Sequence, residues 1–244
     1  MKNIITLMAV VVVLVFLPAG SYAERSSGQN PDEMKVSAET ASKSLGQAME
    51  YQASQIMGKG IQNYEGKIVG VIRDLMIDPR NSGIALAIFS PGGFLGIPMK
   101  FVAVPFRALT FDPDKKVYLL DVSREEIAEA PGFERGQWPQ QANRAWETEV
   151  YRYYGQTPEW GEAEETMAAG HGEFYRFKEM RGTTVRKPQG ERVGSIRDLV
   201  IDSEGHVSAA VIAQGGLLGI GARRVAVSLN SLRFDPATES FVLH

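Results

Sequence analysis

The residues with the strongest claim to chemistry are four aspartates arranged as two pairs, Asp74 with Asp78 and Asp198 with Asp202. Residues four apart on a strand share a face, and two carboxylates on one face can exchange a proton or hold a cation. The competing reading is local. The second aspartate of each pair opens a turn and bonds nearby backbone amides, while the first neighbours Arg73 or Arg197 on an exposed edge. The local reading is the expectation. Histidine adds little, with His171 between two glycines, His206 in a turn, and His244. None has a carboxylate at a motif spacing, and no H-x-H or H-E-x-x-H pattern occurs. The glycine-rich runs that begin at Gly92 and Gly215 lack the following helix and the Lys or Ser/Thr of a phosphate cradle, and read as tight turns. There is no G-x-S-x-G motif and no cysteine, so a serine elbow, thiolate chemistry and disulfides are excluded. No catalytic, metal or cofactor residue is expected.

The elements that hold these residues form a repeat. Val69-Gly70-Val71-Ile72-Arg73-Asp74-Leu75-Met76-Ile77-Asp78 returns 124 positions later as Val193-Gly194-Ser195-Ile196-Arg197-Asp198-Leu199-Val200-Ile201-Asp202. Gly92-Gly93-Phe94-Leu95-Gly96-Ile97, Val102-Ala103-Val104 and Phe111-Asp112-Pro113 return 123 positions later, starting at Gly215, Val225 and Phe234. The copies therefore differ by one residue between Asp78 and Gly92, where a turn accepts a length change at least cost. Within a copy, short β-branched runs are punctuated by Gly, Pro, Asn and Asp, the pattern of a small all-β barrel. Gly66 and Gly190 close hairpins, strands run through Leu75–Ile77 and Leu199–Ile201, then Ile84–Phe89 and Val207–Ala213, and the copies end on Val117–Val122 and Phe241–Leu243.

A strand of the form G-x-I-x-D-L-x-I-D, a Gly-Gly-x-Leu-Gly-Ile turn and a V-A-V strand before F-D-P together resemble the PRC-barrel domain, named for the cytoplasmic barrel of the photosynthetic reaction-centre H subunit. Both copies match. The resemblance implies a mainly β fold, two small PRC-barrel-like β-barrels joined by a partly helical connector, acting as an adaptor that docks on other proteins. It brings no shared catalytic residues. The copies diverge after the glycine-rich turn, where Ile97-Pro98-Met99-Lys100-Phe101 faces Ile220-Gly221-Ala222-Arg223-Arg224, so their partners are expected to differ.

Residues 1–23 read as a secretory signal: Lys2, an apolar run from Ile4 to Leu17, and Ser21-Tyr22-Ala23 with cleavage expected after Ala23. The rival is an uncleaved anchor, although the run is shorter than the roughly 20 residues a bilayer needs. Residues 24–50 read as a polar tether with a helix over Ala38–Tyr51, followed by the first barrel (51–122), the connector (123–178) and the second barrel (179–244). Without Lys2 the chain holds 25 basic against 29 acidic residues. That balance and export both argue against nucleic acid. A periplasmic or secreted protein is expected, touching membrane only if the anchor is kept.

The connector holds all three tryptophans, Trp138, Trp146 and Trp160, and 11 acidic against 6 basic residues. Ser123 should cap a short helix stopped by Ala130-Pro131-Gly132, and a second helix is expected over Ala142–Tyr154, ended by Gly155. Trp146, Val150, Tyr153 and Tyr154 fall on one face of it, which either packs on a barrel or meets a partner. The candidate partner-binding residues are accordingly Trp138, Trp146, Tyr153, Tyr154, Met99, Lys100, Phe101, Arg223 and Arg224. The partner is expected to be a protein, and self-association stays open.

Overall fold

The computed structural model describes residues 51–92, 100–134, 137–138, 144–158, 174–215 and 222–244. The readings of the leader, its cleavage site, the tether, Met99, Trp160, His171 and most of both Gly-Gly turns lie outside them. The first repeat runs β1 (Tyr51–Gln52), α1 (Ala53–Ile56), β2 (Gly60–Asn63), β3 (Ile68–Asp78), β4 (Gly83–Pro91), β5 (Lys100–Pro105), β6 (Thr110–Asp112) and β7 (Val117–Leu120). The connector holds α2 (Arg124–Glu129), β8 (Gly132–Glu134) and α3 (Arg144–Tyr153). The second repeat runs β9 (Tyr175–Arg176), α4 (Phe177–Met180), β10 (Thr184–Arg186), β11 (Arg192–Ile201), β12 (Val207–Gln214), β13 (Arg223–Val227), β14 (Leu232–Asp235) and β15 (Ser240–Leu243).

The fold is mainly β, as expected. The first sheet has the order β6-β7-β2-β3-β4-β5-β8 and the second β14-β15-β10-β11-β12-β13. Among the described residues neither ladder closes into a ring. A 3-10 turn, Phe106–Ala108 or Leu229–Ser231, packs against β4 or β12 where a closing ladder would run. Gly66 and Gly190 take positive φ in the hairpin turns. Gly194 is required for another reason: a Cβ there would lie 2.2 Å from the Ala213 carbonyl oxygen across the ladder. In both repeats the register shifts between the isoleucine and the aspartate of the Ile-Arg-Asp run, and this bulge leaves Arg73 and Arg197 exposed between buried neighbours.

The repeats exchange their first strands. β1 pairs with β11 (Tyr51 opposite Ile201), and β9 pairs with β3 (Tyr175 opposite Ile77). Residues 175–178, placed in the connector by sequence, thus open the second repeat as Tyr51 to Ser54 open the first. The turns after the long strands also meet. Gly83 bridges His206, the Ile84 amide donates to the Gly205 carbonyl at 2.8 Å, and the Val207 amide donates to the Ser82 carbonyl at 2.6 Å. This pairing sets His206 opposite Gly83 and puts the one-residue length difference inside those turns. A single core spans both repeats, with Ile72, Leu75, Ile77 and Phe89 joined to Ile196, Leu199, Ile201 and Phe241.

The connector follows the expected signals. The Ser123 hydroxyl accepts from the Glu126 amide at 3.1 Å, and the Glu126 carboxylate accepts from the Ser123 amide at 2.6 Å, a reciprocal cap on α2. Gly155, at φ +63, ends α3: its amide donates to Arg152 O, and the Gln156 amide to Tyr151 O.

Candidate functional site

The four aspartates are all engaged in hydrogen bonds, two within turns and two between the repeats. Asp78 and Asp202 open turns as the local reading expects: Asp78 accepts from the Arg80 amide at 2.9 Å, and Asp202 from the Glu204 and His206 amides, both at 2.9 Å. The other half of that reading is corrected. Asp74 and Asp198 do not lie on an exposed edge, for both are buried. Each accepts the amide of the second residue of the other repeat's one-turn helix, Asp198 from Ser54 N at 3.0 Å and Asp74 from Lys178 N at 3.1 Å. Each also accepts from the amide of the following leucine. The remaining oxygens take the Ser54 hydroxyl at Asp198 and the Arg176 guanidinium, at 3.2 and 3.1 Å, at Asp74. With both oxygens occupied, these carboxylates are fixed anchors between the repeats.

The two sheets present their outer faces differently. In the first repeat, Met76, Leu86, Ile88 and Ala103 form a buried apolar face under Val150 and Tyr151 of α3. The Tyr151 hydroxyl donates to the Ala85 carbonyl at 3.2 Å. Trp138 closes the side of this layer, its ring 5.8 Å from Phe101 and 4.8 Å from Phe133, with the Arg176 guanidinium 3.5 Å above it. The open edge of β5 is taken by β8, with Lys100 opposite Glu134, Phe101 opposite Phe133, and the Ala103 amide donating to the Pro131 carbonyl at 3.1 Å. The Lys100 ammonium donates to Ala128 O and Ala130 O at 2.7 and 2.9 Å, capping α2, and burial lowers its pKa.

In the second repeat the same positions hold Val200, Ala209, Val211, Arg224 and Ala226, all half-buried or exposed. Among the described residues no strand pairs with the outer edge of β13, and the helix packed on β11 is the one-turn α1, whose Ser54 reaches Asp198 at the margin of this face. Instead it opens into a pocket of about 430 Å³ lined by Gln52, Ser54, Arg181, Arg197, Asp198 and Arg224, with Val211 and Ala213 at its floor. Three arginines there face one carboxylate, and that carboxylate is engaged by Ser54 and Leu199.

The candidate partner residues therefore separate into two groups. Trp138, Trp146, Tyr154, Lys100 and Phe101 gather within the first repeat's covered layer. Tyr153 is half out of it, 37% exposed, with its hydroxyl on the Glu126 carbonyl. Arg223 and Arg224 stay exposed on β13. The helix face differs in detail from the expected one, since Glu147, Val150 and Tyr151 are its buried positions rather than Tyr153. Sequence reasoning missed Arg181, Arg197 and the role of Asp74 and Asp198. One signal was present: Tyr51, Ile56 and Gly58 recur at the same 124-residue offset as Tyr175, Met180 and Gly182, which extends the repeat upstream to the exchanged strands.

No curated protein matches the chain. A model of the PRC-barrel domain matches residues 49–127 and 172–240, together more than half of the sequence. These segments coincide with the two strand-exchanged repeats, and the chain therefore belongs to the PRC-barrel domain family, carrying the domain in two tandem copies.

Proposed function

We propose that this is an exported, non-catalytic protein that serves as a protein-binding or scaffold module of the bacterial envelope, built on two PRC-barrel domains. The observation that carries the reading is the inequality of the outer faces. One copy's face is filled by the chain's own connector, while the same face and edge of the other copy have no cover among the described residues. A module that fills one of two like surfaces from within presents the other for association.

The rival enzyme reading, with the Asp pairs holding an ion or ligand, is disfavoured by the donors that occupy Asp74 and Asp198. Export rests on the leader and cleavage after Ala23; intact mass of the protein recovered from the envelope checks it, because a retained leader means an anchored adaptor instead. Capture from envelope extract by the full protein tests the main reading. Recovery of a defined partner with no turnover in a broad hydrolase screen is the expected result. Turnover lost in Asp74→Asn or Asp198→Asn while folding is kept overturns it.

A further inference from the structure

We propose that the outer edge of β13 and the adjoining arginine pocket form a docking site for an extended acidic segment of a partner protein, which adds as an antiparallel strand and sets a carboxylate against Arg224. This deepens the scaffold reading and rests on it.

The first repeat supplies the template. There an extended Pro131-Gly132-Phe133-Glu134 segment lies along β5, taking the Ala103 amide through Pro131 O and setting Glu134 opposite Lys100. Transferred to the second repeat, the docking amide is that of Ala226, and the cation opposite the glutamate position is Arg223. Ala226 and Arg224 belong to an edge whose other side is already paired to β12 through Val211 and Ala213. An unpaired strand edge offers alternating donors and acceptors that only another backbone satisfies in series.

Side chains opposite each other in an antiparallel pair share a face. The Phe133 position of an incoming strand would therefore stand over the pocket beside Arg224, where the first repeat has the Phe101–Phe133 contact. With Arg224 in place of Phe101, and Arg181 and Arg197 lining the same pocket, the matching side chain is a carboxylate. A Gly-Glu-Glu core thus replaces the Gly-Phe-Glu of the connector. Self-pairing of two β13 strands is disfavoured, because it brings the arginines of both copies onto one edge.

The probe is the octapeptide acetyl-Ser-Ala-Pro-Gly-Glu-Glu-Ser-Gly-amide, titrated into the full protein while backbone amides are followed by NMR and hydrogen exchange. The expected result is protection of the Ala226 amide, with Ala103 unchanged. Arg224→Glu should weaken binding about tenfold or more, and a peptide with only its first glutamate, the one opposite position 224, replaced by lysine should regain affinity for that variant. Three results overturn the inference: equal binding by Arg224→Glu, a response reproduced by inorganic phosphate without β13 protection, or self-association of the protein through β13. Capture from envelope extract separates this inference from the reading beneath it. A partner retained equally by wild type and Arg224→Glu defeats the docking site and leaves the scaffold reading standing. Peptide docking with no partner captured does the reverse.

Discussion

The two copies share a strand plan, a bulge and a buried aspartate, yet among the described residues one outer face is covered and the other is not. The difference starts at a few substitutions. Ile88 and Phe101 of the first copy need cover, and α3, β8 and Trp138 provide it. Val211 and Arg224 in their places are smaller or charged and remain tolerable in water. Duplication therefore preserved what holds the copies together and let the exposed surfaces diverge. The lesson is that family membership fixes a scaffold, whereas the covering of each sheet face decides what the scaffold can meet.

The strongest way to break the comparison is to uncover the first face. Tyr151→Ala leaves a cavity under α3 and removes the hydroxyl's bond to the Ala85 carbonyl, so chemical denaturation should show a loss of about 4 kcal/mol, with octapeptide binding at β13 unchanged. Next comes the anchoring pair. Asp74→Asn takes the buried carboxylate from the Arg176 guanidinium, leaving it only the exposed Glu179, and should cost about 3 kcal/mol, while Asp198→Asn, whose donors are the Ser54 amide and hydroxyl and the Leu199 amide, should cost about half of that. Equal losses would mean that the two exchanged strands are held alike.

Alkali sharpens the contrast further. Tyr118 is pushed up to about 12 by burial and then by Tyr51, whereas the second copy has Phe241 in its place. An unfolded tyrosine ionises near 10, below the folded value, so stability is intact below pH 10 and falls as pH rises from there towards 12. Tyr118→Phe should remove that part of the fall, read from denaturation midpoints across the range. The smallest effect is expected at the connector's entrance. Ser123→Ala removes the acceptor for the Glu126 amide and should cost about 1 kcal/mol, seen as fraying of α2 in amide exchange.

How much of this was legible followed the range of the signals. Hairpin glycines, the capping serine and the end of α3 at Gly155 act over a few residues, and each stood where the sequence put it. The exchange of β1 and β9 was not legible, because two-residue strands carry no periodicity and their partners lie 98 to 150 positions away. The burial of Asp74 and Asp198 was hidden for the same reason. Beside Arg73 and Arg197 they read as surface residues, and only the incoming helix amides of the other copy make burial affordable. The arginine pocket draws on both repeats and needed the exchanged strand to bring Gln52 and Ser54 beside Arg181 and Arg197.

The central claim, that one copy is filled from within and the other is open, is tested most directly by hydrogen exchange at two equivalent amides of the full protein. Ala103 donates to Pro131 O and should be strongly protected, whereas Ala226 should exchange close to the rate of an exposed strand edge. Comparable protection at both would contradict the account, because it would mean that the second face is already covered within the chain.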